Sequence, residues 1–230
     1  MYFLIICVIM IHRRRRIALL CGIAHKAFRQ IYTRRAANRT DALLLLEIVN
    51  MFGRIQNLDD RVLDNIGRIH RPALNRIMIT ASRAGNLGII WWMICTPFLI
   101  RPAWRMTGLN FVFALALAHL AGEIIIKHIV KRVRPCHSLG DEEQLIDRPR
   151  FYSFPSGHTT SSFAMVGVAL LRCKLITFLP ILMLATLIGF SRMYLRVHYL
   201  TDVVFGALLG FTCGVLSVGL FDAIVSALGF

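Results

Sequence analysis

Three short stretches carry the residues able to do chemistry: "KHIVKRVRP" from Lys127 to Pro135, "FPSGHTT" from Phe154 to Thr160, and "SRMYLRVHYLTD" from Ser191 to Asp202. In the last, His198 and Asp202 are four residues apart, so one helical turn sets the carboxylate beside the imidazole. A carboxylate bonded to one ring nitrogen fixes the tautomer and leaves the other nitrogen as nucleophile or base. Arg192 adds a rigid fork of donors suited to phosphate oxygens. The plainer alternative is a structural His–Asp pair with an arginine anchored at the membrane interface.

In the middle stretch, Pro155 and Ser156 read as a helix start with Ser156 as N-cap. Gly157 lets a ligand come close to the backbone. Free amides and the positive dipole end at such a start suit a phosphate. His158, in that first turn, is placed to exchange a proton with a phosphate oxygen or leaving group. In the first stretch, Lys127 and Arg134 are seven residues apart, so both face one way if the helix persists. Two cations on one face suit an anion with several oxygens; snorkelling at a helix end is the alternative. Upstream, His119, Glu123 and Lys127 follow at four-residue steps, which sets Glu123 to pair with Lys127 and tune its position. Taken together, two histidines, an aspartate, two arginines and a lysine around a helix N-terminus make a phosphoryl-transfer site. Fixed cations there stabilise the equatorial oxygens as Mg²⁺ does elsewhere, so neither metal nor cofactor is called for.

The elements that must position these residues are membrane helices. The 230-residue chain is 57% hydrophobic, only 17% charged, and has a mean hydropathy of +0.63. Apolar runs approaching the roughly 20 residues that cross a bilayer occur at Ala84–Ile100, Thr107–Ile126, Ser156–Leu171, Leu175–Phe190 and Leu200–Phe221. The expected fold is all-α, a polytopic transmembrane bundle of five spans, with a sixth sought near the N-terminus. Residues 1–58 form a basic N-terminal segment, interfacial or containing that first span, and 59–230 the membrane-embedded domain. "FGALLGFTCG" (Phe205–Gly214) suits close helix packing in lipid. The stretch Asp41–Ile69 reads as an amphipathic helix on the membrane, broken by "HRP" at His70–Pro72. Trp91, Trp92 and Trp104 read as interfacial or packing aromatics.

Net charge is +15, and residues 1–83 hold 15 Lys/Arg against 5 Asp/Glu, with Arg13–Arg16 consecutive. In a membrane protein such a segment faces anionic headgroups, and nucleic acid is not the expected partner. Six scattered cysteines show no CxxC pair, and Cys136 beside His137 lacks companions for a zinc site. Following the alternation of spans, the polar loop at about Lys127–Pro155 and the Ser191–His198 link share one side. The turns bearing Arg101, Arg105, Arg172 and Lys174 share the other. Short basic turns mark the cytoplasmic face, so the chemistry is expected to face outward.

The three stretches match K-x6-R-P, P-S-G-H and S-R-x5-H-x3-D, in that order. In this the chain resembles the type-2 phosphatidic-acid phosphatase superfamily, the lipid phosphate phosphatases, over about Asp59 to Phe221. The resemblance implies a metal-independent lipid phosphatase of the bacterial inner membrane. His198 would attack phosphorus and form a phosphohistidine, oriented by Asp202. His158 would protonate the leaving oxygen and then help water hydrolyse the intermediate. Lys127, Arg134 and Arg192, with amides near Ser156 and Gly157, would hold phosphate oxygens. Ser191, which opens the third motif, joins Glu123 as a supporting residue. Which histidine attacks comes from the resemblance alone. The family typically carries six spans. Undecaprenyl diphosphate is the first expected substrate; phosphatidylglycerophosphate, phosphatidic acid and lipid A 1-phosphate compete, as does phosphotransfer to another lipid. A vanadium haloperoxidase has a similar cage but is soluble. A non-catalytic lipid-binding protein would show a degraded motif, and none is degraded.

Overall fold

The computed structural model describes residues 39–138 and 144–229. Arg13–Arg16, the apolar start of the chain, and the sixth span sought there lie outside the described residues. The chain divides into two compact units, Met1–Val62 and Leu63–Phe230. In the first, the described part belongs to α1 (Arg39–Gly67). This helix exposes Leu43, Met51 and Leu58 among charged residues and carries a Gln56–Asp60 hydrogen bond of 2.9 Å along its surface.

In the second unit, α2 (Pro72–Ala84) begins with proline in its first turn, where the missing N–H costs nothing. A 3₁₀ turn over Asn86–Gly88 leads to α3 (Ile89–Ile100), and the two parts meet at 58°. Then come α4 (Arg105–His119), a π-helical segment Leu120–Ile126, and the short α5 (Lys127–Val130) in one continuous rod. After the polar loop follow α6 (Gly157–Arg172), α7 (Leu175–Tyr194) and α8 (Leu200–Ala227). Among the described residues every regular element is helical.

Three helical stretches are long and apolar enough to cross a membrane: Pro102–Val130, Leu175–Tyr194 and Leu200–Ala227. The bent pair Pro72–Ala84 and Asn86–Ile100 makes a fourth if it counts as one span. The five expected spans are therefore not reached. The first is broken at Gly85–Gly88, and α6, with 16 residues, is short for a span. That helix is instead the axis of the bundle, with every residue from Ala164 to Ala169 buried. The outer helices remain apolar on their open faces, as at Ile176 and Met183 in α7 and Leu208 in α8, the surface a lipid solvent requires.

Close packing on α6 comes from glycines spaced by four in α8. A methyl group added at Gly206 would lie 3.0 Å from the Ser156 carbonyl, and at Gly210 and Gly214 it would collide with the carbonyls of Thr160 and Ala164. Without side chains there, the backbones approach to van der Waals contact. Trp91 is fully buried and donates its indole N–H to Ser162 Oγ at 3.2 Å, joining α3 to the same axis. Trp92 and Trp104 remain about half exposed, the latter beneath the Arg101 guanidinium. The start of α6 is consequently a fixed point, and the ends of α5, α7 and α8 gather around it.

Candidate active site

The polar loop and the α7–α8 link meet at one end of the bundle, as the alternation of spans requires. Ser153 donates its amide to the Arg132 carbonyl at 2.7 Å, and Arg134 reaches the Val197 carbonyl at 3.0 Å. Arg172 lies at the far end of α6, paired with Asp222.

His198 sits in the link, 1% exposed. Its amide and that of Val197 both donate to the Arg192 carbonyl, at 3.2 and 3.1 Å, and the turn passes through Arg196 at φ 53. Arg134 Nη1 lies 2.9 Å from His198 Nε2, so Nε2 is the unprotonated, accepting nitrogen. Nδ1 faces Asp202 Oδ2 at 3.6 Å, beyond hydrogen-bond length. Burial, reinforced by Arg134 and Arg192, pulls the imidazole down to about 3 against the pull of Asp202. The ring is therefore neutral, with its Nε2 lone pair available for chemistry.

Asp202 is completely buried and heavily committed. Oδ1 accepts from Arg132 Nη1 at 2.7 Å; Oδ2 accepts from the Tyr199 amide at 2.9 Å and from the Ser153 hydroxyl. Arg132 also donates to Thr201 Oγ1 at 2.7 Å and lies over the Tyr199 ring at 4.0 Å.

Lys127 is 5% exposed and pairs with Glu123, as the four-residue step predicts. The π-helical segment places both, and the ring of His128 caps its loosened carbonyls at Glu123 and Ile124. The helix does not persist to Arg134. It stops at Val130, Lys131 turns left-handed at φ 50, and Arg134 is extended before Pro135. Arg134 thus enters from a loop, held by the Phe151 carbonyl at 2.6 Å, and the seven-residue spacing is not what aligns it with Lys127.

At the start of α6 the geometry differs from expectation in two respects. Ser156 is the N-cap but makes no side-chain cap bond. Its amide donates to the Asp202 carbonyl at 3.1 Å and its hydroxyl accepts from Thr159 at 2.9 Å, so neither points at a ligand. Gly157 does permit a close approach, but the group that uses it is the Glu123 carboxylate, which a methyl there would strike. Amides of the first turn lack intrahelical partners, as at any helix start. Ser191 is buried and returns its hydroxyl to the Ile188 carbonyl at 2.7 Å, so it steadies α7 and does not reach the site.

Arg192 is 4% exposed, donates to Ser82 Oγ, and leaves Nε without a partner. His158 Nε2 lies 2.9 Å from Asn86 Oδ1. One cavity of ≈ 1320 Å³ is lined by Lys127, Arg134, Arg192, Gly157, His158 and His198, and the same cavity carries Trp92, Val112, Leu115 and Ala116. His119, Glu123 and Arg148 also line it. Cys136 is buried, and burial pushes its thiol up. Three cations, a neutral imidazole whose Nε2 lone pair is met by Arg134, and a second imidazole thus line a pocket with an apolar flank. That arrangement can hold a tetrahedral anion and attack it.

Sequence reasoning missed Arg132, Ser153, Ser82 and Asn86. Arg132 stands inside the first motif but reads as one more interfacial cation. Ser82 and Asn86 carried a usable signal, being polar residues within or beside an apolar run.

Comparison with known proteins places the chain among phosphatases. The model of the PAP2 superfamily matches residues 107–225. The chain is 31% identical over 181 residues to the undecaprenyl-diphosphatase of Sulfolobus acidocaldarius, covering 76% of this chain and 85% of that one. It is 28% identical over 172 residues to phosphatidylglycerophosphatase B of Bacillus subtilis, covering 68% and 79%. Among solved structures, Aquifex aeolicus LpxE superposes with a TM-score of 0.62 at 26% identity, over 70% of this chain and 95% of that one.

Proposed function

The chain belongs to the PAP2 superfamily and is a membrane lipid phosphatase, and on that premise we propose that it hydrolyses undecaprenyl diphosphate through a phosphohistidine at His198. The observation that carries the mechanism is the 2.9 Å approach of Arg134 Nη1 to His198 Nε2, which marks that lone pair as facing a cation-lined cavity. An incoming phosphate takes over the Arg134 donor and frees Nε2 for attack. Lys127, Arg134 and Arg192 hold the equatorial oxygens as charge shifts in the transition state. Nε2 bonds to phosphorus while the bond to the leaving oxygen breaks and His158 gives that oxygen a proton. Water then attacks phosphorus, His158 takes its proton, and the P–N bond breaks. Asp202 stabilises the ring while it carries charge.

The apolar flank at Trp92, Val112, Leu115 and Ala116 supports an amphiphilic substrate with its phosphate on the cations and its chain between helices. The similarity to an undecaprenyl-diphosphatase supports the polyprenyl diphosphate, and the similarity to phosphatidylglycerophosphatase B makes phosphatidylglycerophosphate the second choice. Residues 59–230 form the phosphatase domain. Within it α6, about 24 Å long at 1.5 Å per residue, is the fifth membrane-embedded helix. The site faces outward from the inner membrane, because the short basic turns at Arg101–Arg105 and Arg172–Lys174 lie at the other end.

The test is phosphate release by purified protein in detergent with EDTA, offering undecaprenyl diphosphate, phosphatidylglycerophosphate and phosphatidic acid side by side, with His198→Ala as control. Fastest release from undecaprenyl diphosphate, lost in the variant, is the expected result. A different ranking overturns the substrate, and release that survives in the variant overturns the mechanism.

A further inference from the structure

The α2–α3 bend lies N-terminal of the region matched by the superfamily model, 107–225, yet it touches two side chains of the site. Ser82 accepts from Arg192, and Asn86 Oδ1 lies 2.9 Å from His158 Nε2. Gly85 is tucked against the same ring: a methyl there would lie 2.8 Å from His158 Cδ2. The backbone that presents Asn86 is strained. Leu87 has φ 52 and Gly88 φ 68, and the chain bends by 58° across this turn. A left-handed leucine is unfavourable. Its side chain is 91% exposed, so packing does not compensate. What the turn does accomplish is to set the Asn86 amide against His158.

We propose that Asn86 is the positioning residue of His158, fixing the ring so that Nδ1 carries the proton exchanged with the leaving group and with water. Resting on the phosphatase reading above, it acts by accepting Nε2–H on Oδ1. The neutral ring then holds its lone pair on Nδ1, and the protonated ring donates from Nδ1. In the first step the Nδ1 proton passes to the leaving oxygen as its bond to phosphorus breaks and the His198 Nε2–P bond forms. In the second, a proton of the attacking water returns to Nδ1 as the P–N bond breaks. A neutral amide suits this role, because it orients the ring without adding a charge that would retain the proton. Lys127, Arg134 and Arg192 face the ring as cations, with His198 beside them and Glu123 against the Gly157 backbone. In that company an uncharged partner lets His158 both give and take a proton.

The test compares Asn86→Ala, Asn86→Asp and His158→Ala on two substrates. Phosphatidic acid expels an alkoxide that needs a proton, whereas p-nitrophenyl phosphate expels a phenolate that does not. For Asn86→Ala the expected result is a kcat on phosphatidic acid lowered roughly 10- to 100-fold, a part of the 10²–10⁴ that a positioned acid or base supplies. KM should change by less than about twofold, and the nitrophenol burst should stay near wild type. Asn86→Asp, which keeps the acceptor and adds charge, should recover kcat in part and move its basic limb to higher pH. A wild-type kcat and pH profile in Asn86→Ala overturns the proposal, as does an equal loss of the nitrophenol burst, the mark of a structural role. If His158→Ala retains activity, the acid–base role of His158 in the proposed mechanism fails, and the role of Asn86 with it. If His158→Ala is inactive while Asn86→Ala is normal, only the role of Asn86 fails.

Discussion

His198 is held through its backbone as much as through its ring. The Arg192 carbonyl takes two amides of the link, Arg134 caps Nε2, and Asp202 waits 3.6 Å from Nδ1. Asp202 is itself held by Arg132, Ser153 and the Tyr199 amide, so the carboxylate cannot follow the ring without breaking other bonds. A pH dependence follows. The folded ring takes its proton only near 3, whereas the exposed ring of the unfolded chain titrates near 6.5. Between those values the unfolded state binds the extra proton, so this contribution to stability is full above about 6.5 and is lost as pH falls toward 3. Melting in detergent should therefore show the wild type losing more Tm than His198→Gln on going from about pH 7.5 to about pH 4.5. Equal losses would mean the ring is not held neutral. At this scale the sequence conveys residue types but not bond directions. Ser156 and Ser191 have the right type beside the right neighbours, yet their hydroxyls go to Thr159 and Ile188, a choice made by tertiary packing.

Helices deliver the site residues through breaks more than through periodicity. Glu123 arrives on a π-helical segment and Lys127 on the α-turn directly after it, Arg134 after a left-handed Lys131, and Asn86 on a bent 3₁₀ turn. The helices themselves were legible in hydropathy, since three of the expected apolar runs fall within helices long enough to span. The breaks were not, because each is a compromise between helix continuity and contacts made far along the chain. The sequence reads as one span across Gly85 and Gly88, and nothing local says that the ring of His158 fills the space beside Gly85. Packing of α8 on α6 gives the element-scale prediction. Gly210→Val, which drives side-chain atoms into the Thr160 carbonyl, should separate the two helices and abolish both folding yield and activity. Gly219→Ala on the same helix meets nothing within 4 Å and should hold or raise Tm, since alanine is favoured over glycine in a helix by about 1 kcal/mol. Both variants are read by size-exclusion yield and Tm in detergent, and equal behaviour of the two would contradict this packing.

As a whole, the second unit gathers its chemistry at one end of an apolar bundle. Three cations are buried among membrane helices, where charge is expensive unless it is used. Lys127 is neutralised by Glu123, but Arg134 and Arg192 are met by carbonyls, a hydroxyl and the histidine, which is why a phosphate is proposed as the partner that completes them. The same cavity is lined also by Val112, Leu115 and Trp92, so polar and apolar walls adjoin in one space. Phosphate that passes through His198 can be trapped there. Protein mixed with substrate labelled in its terminal phosphate is denatured within milliseconds in alkali, digested and mapped by mass spectrometry. The expected result is a phosphoryl group on His198, stable to alkali and labile to acid. Rapid turnover without label at His198, or with label on another residue, would contradict it.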